Sequence, residues 1–236
     1  MKILVINPNT SEEMTQAIYR SAVAVKQEST EITAVNPPHG PECVEGSIDE
    51  LTAAYHLIDV IKKAEATGDY DAYIVACFGD PAVEALRELT DKPVVGVAEA
   101  AMRLAPFISG KFAIVSILPR CLAHLEELAH RYGVSHKLTS IKTPNIGVLE
   151  FHTDQAAAEE KLVSAAREAV ELEYAEAIIL GCAGMSGFSD FLSRKIGVPV
   201  LDSVSCAVKI AEGLVDLSIT TSKRNTYAVP TEKLYK

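Results

Sequence analysis

Short apolar runs alternate with longer amphipathic segments along the whole chain. Runs such as KILVI (residues 2–6) and AYIVAC (residues 72–77) are typical of strands that are buried on both faces. The segments between them, for example residues 49–66, carry apolar residues at helical spacing. Thr10 and Glu13 have the spacing of a capping box and predict the start of the first helix. The alternation predicts an α/β protein with parallel strands.

The predicted elements occur twice in the same order. The first set has strands near residues 2–6, 30–35, 71–77 and 92–97, and the second has strands near residues 110–116, 136–142, 175–182 and 198–203. Equivalent residues are separated by a near-constant distance, which is 105 positions for Cys77 and Cys182 and 106 for Pro93 and Pro199.

This repeat predicts two pseudo-symmetric α/β lobes, each a four-stranded parallel sheet flanked by helices. We expect the first lobe at residues 1–98 and the second at 99–207, with residues 208–236 packing back on the first. Ligands of open parallel sheets bind beyond the carboxyl ends of the strands. The active site is therefore predicted in the cleft between the lobes.

Composition narrows the class of partner. The 236 residues carry a formal net charge of −10, which argues against nucleic acid because such binding needs clustered Lys and Arg. No apolar run approaches the ~20 residues that cross a bilayer. The apolar run at the N-terminus is also too short for the hydrophobic region of a secretory signal. We expect a cytoplasmic protein with a small-molecule ligand and no membrane partner.

Five cysteines are an odd number and include no C-x-x-C pair, so neither a disulfide framework nor a zinc site is predicted. Cys77 and Cys182 each follow an apolar strand and precede a glycine-bearing bend. Thiols facing one ligand from opposite sides suit inversion of a C–H stereocentre, in which one base removes a proton and an acid returns one on the other face. The alternative for each cysteine alone is a small core residue. Cys43, Cys121 and Cys206 lack such a partner and are treated as non-catalytic.

Further binding candidates surround the two cysteines. Backbone N–H groups after each cysteine are placed to stabilise a thiolate or an enolate-like oxygen; they belong to Phe78, Gly79, Asp80, Ala183, Gly184 and Met185. Asn9 is predicted to bind the ligand or to shape its own turn, and Ser116 to bind the ligand or to cap the next turn. The alternative interpretation of Asp80 is that it caps the helix that begins at Pro81. His39 and His152 lie in loops without metal-ligand spacing, so no metal is assigned.

Four stretches make the chain resemble the aspartate/glutamate racemase superfamily, and within it the hydantoin racemase branch. They are ILVINPNTS (residues 3–11), NPPHGP (36–41), CFGDPAVEALRE (77–88) and GCAGMSGF (181–188). The likeness extends from residue 1 to about residue 215. The resemblance implies racemisation without a cofactor, with Cys77 and Cys182 as alternating base and acid, and a homo-oligomer.

The resemblance also bears on the substrate. Amino-acid racemases of this superfamily usually follow their cysteines with Thr or Asn, whereas Phe78 and Ala183 stand here. This departure disfavours a free amino acid and favours a ring amide such as a 5-monosubstituted hydantoin. Allantoin, aspartate or glutamate, and a carboxylate isomerase or decarboxylase remain alternatives. A small-molecule sensor without catalysis is the non-enzyme alternative.

Overall fold

The structure, a computed structural model, describes residues 1–146 and 155–231. The first half of the chain forms β1 (Lys2–Ile6), α1 (Glu12–Val25), β2 (Glu31–Val35), α2 (Ser47–Thr67), β3 (Ala72–Val75), α3 (Val83–Leu89) and β4 (Val94–Gly96). Helix α4 (Val97–Ile108) follows. The second half forms β5 (Phe112–Val115), α5 (Leu122–Arg131), β6 (Leu138–Lys142), α6 (Gln155–Glu173), β7 (Ala177–Leu180), α7 (Ser189–Ile196), β8 (Val200–Leu201) and α8 (Ser203–Asp216).

The eight strands form two parallel sheets with the same topology. Their orders are β2-β1-β3-β4 and β6-β5-β7-β8, and every described strand pair is parallel. In each sheet the first and third strands of the set are central and buried along their whole length apart from Lys2. This confirms the predicted α/β fold of two equivalent four-stranded sheets flanked by helices.

Three apolar clusters hold the layers together. One covers the outer face of the first sheet under α2 and α3, and another covers the outer face of the second sheet under α6 and α7. The third lies between the sheets and joins strand residues of both, such as Ile74 and Ile179, with helices α1, α4, α5 and α8. Because this central cluster is shared, the carboxyl ends of both sheets are fixed relative to each other.

The first helix begins one residue later than the capping pattern predicts. Its N-cap is Ser11, whose hydroxyl accepts a hydrogen bond from the backbone N–H of Met14. The Thr10 hydroxyl donates instead to the carbonyl of Pro41. The predicted pairing of Thr10 with Glu13 was therefore wrong, because a loop distant in sequence supplies Thr10 with an acceptor.

The lobe boundary at residues 98 and 99 lies in the first turn of α4 and stays a prediction. Beyond residue 207, α8 continues to pack against α1 and α4. The Thr221 backbone N–H then donates to the carbonyl of Asp91 at 2.6 Å, and its hydroxyl donates to the carbonyl of Lys92 at 2.8 Å. The predicted assignment of residues 208–236 to the first lobe stays a prediction, and residues 232–236 lie outside the described part.

Candidate active site

A single cavity lies where the central strands of both sheets end. Strand ends contribute Asn7, Asn9, Ala76, Cys77, Phe78, Gly79, Ser116, Ile117, Leu118, Gly181, Cys182 and Ala183. Helices and the loop before α2 contribute Met14, Val44, Glu45, Glu50, Cys121, His124 and Leu125. Both predicted thiols therefore line the same space, one from each sheet.

Cys77 and Cys182 are equivalent in the local backbone. Each lies two residues after the end of its strand, β3 or β7. The N–H of Asp80 donates to the Cys77 carbonyl at 2.9 Å, and the N–H of Met185 donates to the Cys182 carbonyl at 3.0 Å. This turn directs backbone N–H groups back toward each sulfur, namely that of Gly79 to Cys77 and those of Gly184 and Met185 to Cys182.

Both thiols are strongly biased toward the protonated form. Burial raises the pKa of Cys77 to about 12, although the N–H of Gly79 acts in the opposite direction. Burial likewise raises the pKa of Cys182 to about 11, against the N–H groups of Gly184 and Met185. Negative charge on Cys182 further raises the pKa of Cys77, so ionisation of one thiol disfavours ionisation of the other. The arrangement therefore disfavours two thiolates at once, so a cysteine that does ionise faces a protonated one.

Asn9 and Ser116 line the cavity, and their side chains also form hydrogen bonds with backbone groups. The Asn9 side-chain oxygen accepts from the backbone N–H of Ser11 at 2.9 Å and from the Asn7 amide at 2.8 Å. The Asn9 amide nitrogen faces the Met14 sulfur, a weak acceptor. The Ser116 hydroxyl donates to the Gly181 carbonyl at 3.0 Å. Their predicted role in ligand binding stays a prediction.

Three of the predicted binding residues lie behind the cavity wall. Gly184 and Met185 form the turn after Cys182 and are buried. Asp80 is also buried, and its carboxylate accepts from the backbone N–H groups of Ala98 and Glu99. Asp80 therefore caps α4 and not the helix that follows it in sequence. The predicted role of these three residues in ligand binding stays a prediction.

Sequence reasoning missed several residues that line the cavity. Glu45 and Glu50 come from the loop before α2 and its first turns, and His124 comes from α5. The His124 Nε2 atom lies 3.0 Å from the Gly79 carbonyl oxygen and 3.5 Å from the Glu50 carboxylate. Cys121 also lines the cavity, and its thiol donates to the Leu118 carbonyl at 2.9 Å. No local pattern singles these residues out, since long-range packing alone brings them to the site.

The described residues offer no metal centre. Within residues 1–146 and 155–231, no group of three or more His, Cys, Asp or Glu side chains is arranged to hold a metal ion. His39 is exposed and its ring lies 6.4 Å from that of His56, outside the cavity wall. His152 lies outside the described residues. None of the helices in the described ranges has the length and apolar character needed to span a membrane.

Comparison with known proteins agrees with this geometry. The family described as Asp/Glu/Hydantoin racemase matches residues 3–211, so the chain belongs to that family and is an enzyme of the racemase class. It is 52% identical to a hydantoin racemase of Paenarthrobacter aurescens, with both chains covered completely. It is 46% identical to a hydantoin racemase of Pseudomonas sp. (strain NS671), over 100% of this chain and 94% of the relative.

A solved structure extends the likeness to three dimensions. An allantoin racemase from Klebsiella pneumoniae superposes with a TM-score of 0.96 at 40% sequence identity, covering 100% of this chain and 96% of the other. The racemase superfamily predicted from the cysteine-centred stretches is thus confirmed. The family assignment therefore agrees with the fold and with the two thiols that line one cavity.

Proposed function

We propose that this protein racemises 5-monosubstituted hydantoins without a cofactor, using Cys77 and Cys182 as the acid–base pair. The observation that carries the proposal is that the two thiols occupy equivalent positions on two equivalent sheets and line one cavity. The relatives at 52% and 46% identity, both named hydantoin racemases, support the substrate class.

The chemistry follows from the pairing. One cysteine, as a thiolate, removes the proton from C5 of the ring, and the electron pair delocalises into the adjacent carbonyl. The other cysteine, as a thiol, donates its proton to the opposite face of C5. The product leaves with inverted configuration, and the two cysteines have exchanged protonation states. The enzyme form that one turnover leaves behind is therefore the form that the reverse reaction requires.

The raised thiol pKa values fit a weak carbon acid. A thiolate whose conjugate acid has a pKa of about 11 or 12 is a stronger base than an ordinary thiolate, whereas its population at neutral pH is small. The backbone N–H groups after each cysteine limit this rise and hold the sulfur in place. Each thiol is therefore seldom ionised at neutral pH, but it is a strong base once it is ionised.

The charge of the cavity favours an uncharged ring over a carboxylate. Among the described residues that line it, the charged side chains are Glu45 and Glu50, and no Lys or Arg is included. A free amino acid or a malonate would bring its carboxylate toward these groups without a cation. A hydantoin offers ring N–H donors, and Phe78, Ile117 and Leu125 supply apolar contact for its substituent.

Allantoin is the second candidate substrate, because the structural relative at 40% identity is named an allantoin racemase. Allantoin is a hydantoin with a ureido substituent, so the chemistry at C5 is unchanged. Relative rates on allantoin and 5-benzylhydantoin decide between them.

The test is incubation with one enantiomer of 5-benzylhydantoin in deuterated buffer containing EDTA. We expect optical rotation to decay faster than in a protein-free control, with deuterium at C5 of the inverted product. No excess decay on either 5-benzylhydantoin or allantoin would overturn the proposal. Activity that is present without EDTA and lost when EDTA is added would overturn the cofactor-free mechanism.

We further propose a cytoplasmic homo-oligomer that binds no nucleic acid. The net charge of −10 supports the last point, and the five free thiols support a reducing compartment. Sedimentation at several protein concentrations tests the oligomeric state, and a single monomeric species would contradict it.

A further inference from the structure

The bend that follows Cys77 is held by one side chain of α5 and by the residue that directly follows this helix, both from the other half of the chain. His124 contacts the carbonyl oxygen of Gly79 at 3.0 Å. The Tyr132 hydroxyl, at the end of the same helix, donates to the Asp80 carboxylate at 2.7 Å. Two consecutive residues of the bend are therefore anchored from α5.

The direction of the His124 hydrogen bond is fixed by chemistry. A carbonyl oxygen only accepts, so Nε2 of His124 carries the proton and donates to Gly79. The Glu50 carboxylate, at 3.5 Å from the same nitrogen, is a second acceptor beside this N–H group. The carbonyl of Gly79 is thus held from outside the first sheet.

Asp80 ties the bend to further rigid elements. Its carboxylate also accepts from the N–H groups of Ala98 and Glu99 at 3.0 and 2.7 Å, at the start of α4. Its backbone has a φ of 47°, in the left-handed region, so the local conformation depends on these anchors. Tyr132 is itself buried in the central cluster, and α5 cannot shift without disturbing that core.

The bend after Cys182 is anchored by a carboxylate from its own half of the chain. Asp202 accepts from the N–H of Gly187 at 2.8 Å and caps α8 by accepting from the N–H of Ser205 at 2.9 Å. Asp80 and Asp202 therefore play similar parts. The side chains of α5 act on the Cys77 side.

We propose that His124 and Tyr132 are positioning residues for Cys77, which keep the backbone N–H of Gly79 directed at the Cys77 sulfur across the junction of the two halves. This inference rests on the proposed acid–base role of Cys77. The two cysteines are expected to respond differently: loosening α5 from the bend changes the reactivity of the Cys77 thiol and leaves that of the Cys182 thiol unchanged.

The experiment measures thiol reactivity without substrate. Wild-type protein and the variants Tyr132→Phe, His124→Ala and His124→Gln are treated with iodoacetamide at several pH values, and alkylation of Cys77 and Cys182 is followed by mass spectrometry. Cys182 lines the same cavity and is the internal reference for reagent access. His130→Gln, at an exposed position of α5, is the matched control.

We expect Tyr132→Phe and His124→Ala to slow alkylation of Cys77 relative to Cys182 by about three- to tenfold, since tenfold corresponds to one pKa unit. His124→Gln retains an N–H donor for Gly79 and is expected to behave like His130→Gln and wild type. Equal slowing of both cysteines, or no change at Cys77 in Tyr132→Phe, would overturn the inference. Equal slowing of Cys77 alkylation in His124→Ala and His124→Gln would show that the N–H donor to Gly79 is not what matters, and would also overturn the inference.

Racemase assays of the same variants separate this inference from the proposed function. We expect kcat to fall with Cys77 reactivity while KM stays within about twofold, as for a residue that acts on the chemical step. Slower Cys77 alkylation with undiminished racemisation would leave the positioning role standing and would overturn the catalytic role of Cys77.

Discussion

Gly96 leaves the space that the carboxylate of Asp80 occupies. A Cβ atom on Gly96 would lie 2.4 Å from the Asp80 Cγ and 2.4 Å from its Oδ1. The carboxylate cannot move aside freely, because α4 and Tyr132 hold it. The last residue of β4 is thus coupled to the bend that carries Cys77.

Replacement of Gly96 by Ala is expected to lower the free energy of unfolding by about 1–3 kcal/mol through overpacking. Urea unfolding measures the change. Gly213→Ala is the control, since an added Cβ there meets nothing within 4 Å, and removal of a helical glycine is expected to stabilise by about 0.5–1 kcal/mol. Equal effects of the two substitutions would contradict the coupling of Gly96 to Asp80.

Asp80 gives the folding stability an unusual pH dependence. Burial raises the pKa of this carboxyl from 3.8 to about 6, although Tyr132 and the N–H groups of α4 favour the ionised form. Between those pH values the folded state retains a proton that the unfolded state has released. The contribution of Asp80 to stability therefore falls as the pH rises from about 4 to about 6.

Asp80→Asn removes this titration. We expect the free energy of unfolding of wild type, relative to that of the variant, to fall by up to about 3 kcal/mol across that window. Urea unfolding of both proteins at several pH values from about 4 to 7 measures the difference. Parallel stability curves would show that Asp80 keeps an ordinary pKa in the folded protein.

Single replacements of the two cysteines are expected to separate proton removal from inversion. Cys77→Ala and Cys182→Ala each lose racemisation by about 10²–10⁴-fold, because one face of C5 has no acid or base. Each variant is expected to retain deuterium exchange at C5 of one enantiomer, and the two variants of opposite enantiomers. Chiral chromatography with mass spectrometry checks this.

Cys206→Ala is the matched control for both variants. Burial raises the pKa of Cys206 to about 12, comparable to that of the cavity thiols, but Cys206 lies in α8 and does not line the cavity. Its variant is expected to racemise at the wild-type rate. Substantial racemisation by either cavity variant would sink the two-base mechanism.

The pH profile of the reaction should reflect the raised thiol pKa values. Because the pKa of Cys182 is about 11 and that of Cys77 about 12, the thiolate fraction grows with pH throughout the neutral range. We expect kcat/KM, corrected for spontaneous racemisation, to rise with pH without a plateau up to about pH 10. A plateau that begins near the ordinary thiol pKa of about 8.5 would contradict the environment described.

The two-fold repeat could be predicted from the sequence because patterns of neighbouring residues define its strands and helices. Continuous apolar strands and amphipathic helices recur at a near-constant offset, and parallel sheets bring equivalent strand ends to one edge. Cys77 and Cys182 were found for the same reason, since each directly follows a central strand. The glycine-bearing turns after them also follow from residues adjacent in sequence.

The wall of the cavity and the anchors behind it were decided by the tertiary structure alone. His124 reaches Gly79 across 45 positions of sequence, and Asp80 caps a helix 18 positions away in place of the one beside it. Such contacts depend on how two sheets pack on one shared core, and no periodicity records them. The sequence by itself determined the fold and the equivalent positions of Cys77 and Cys182, whereas three-dimensional packing determined which groups surround and orient the two thiols.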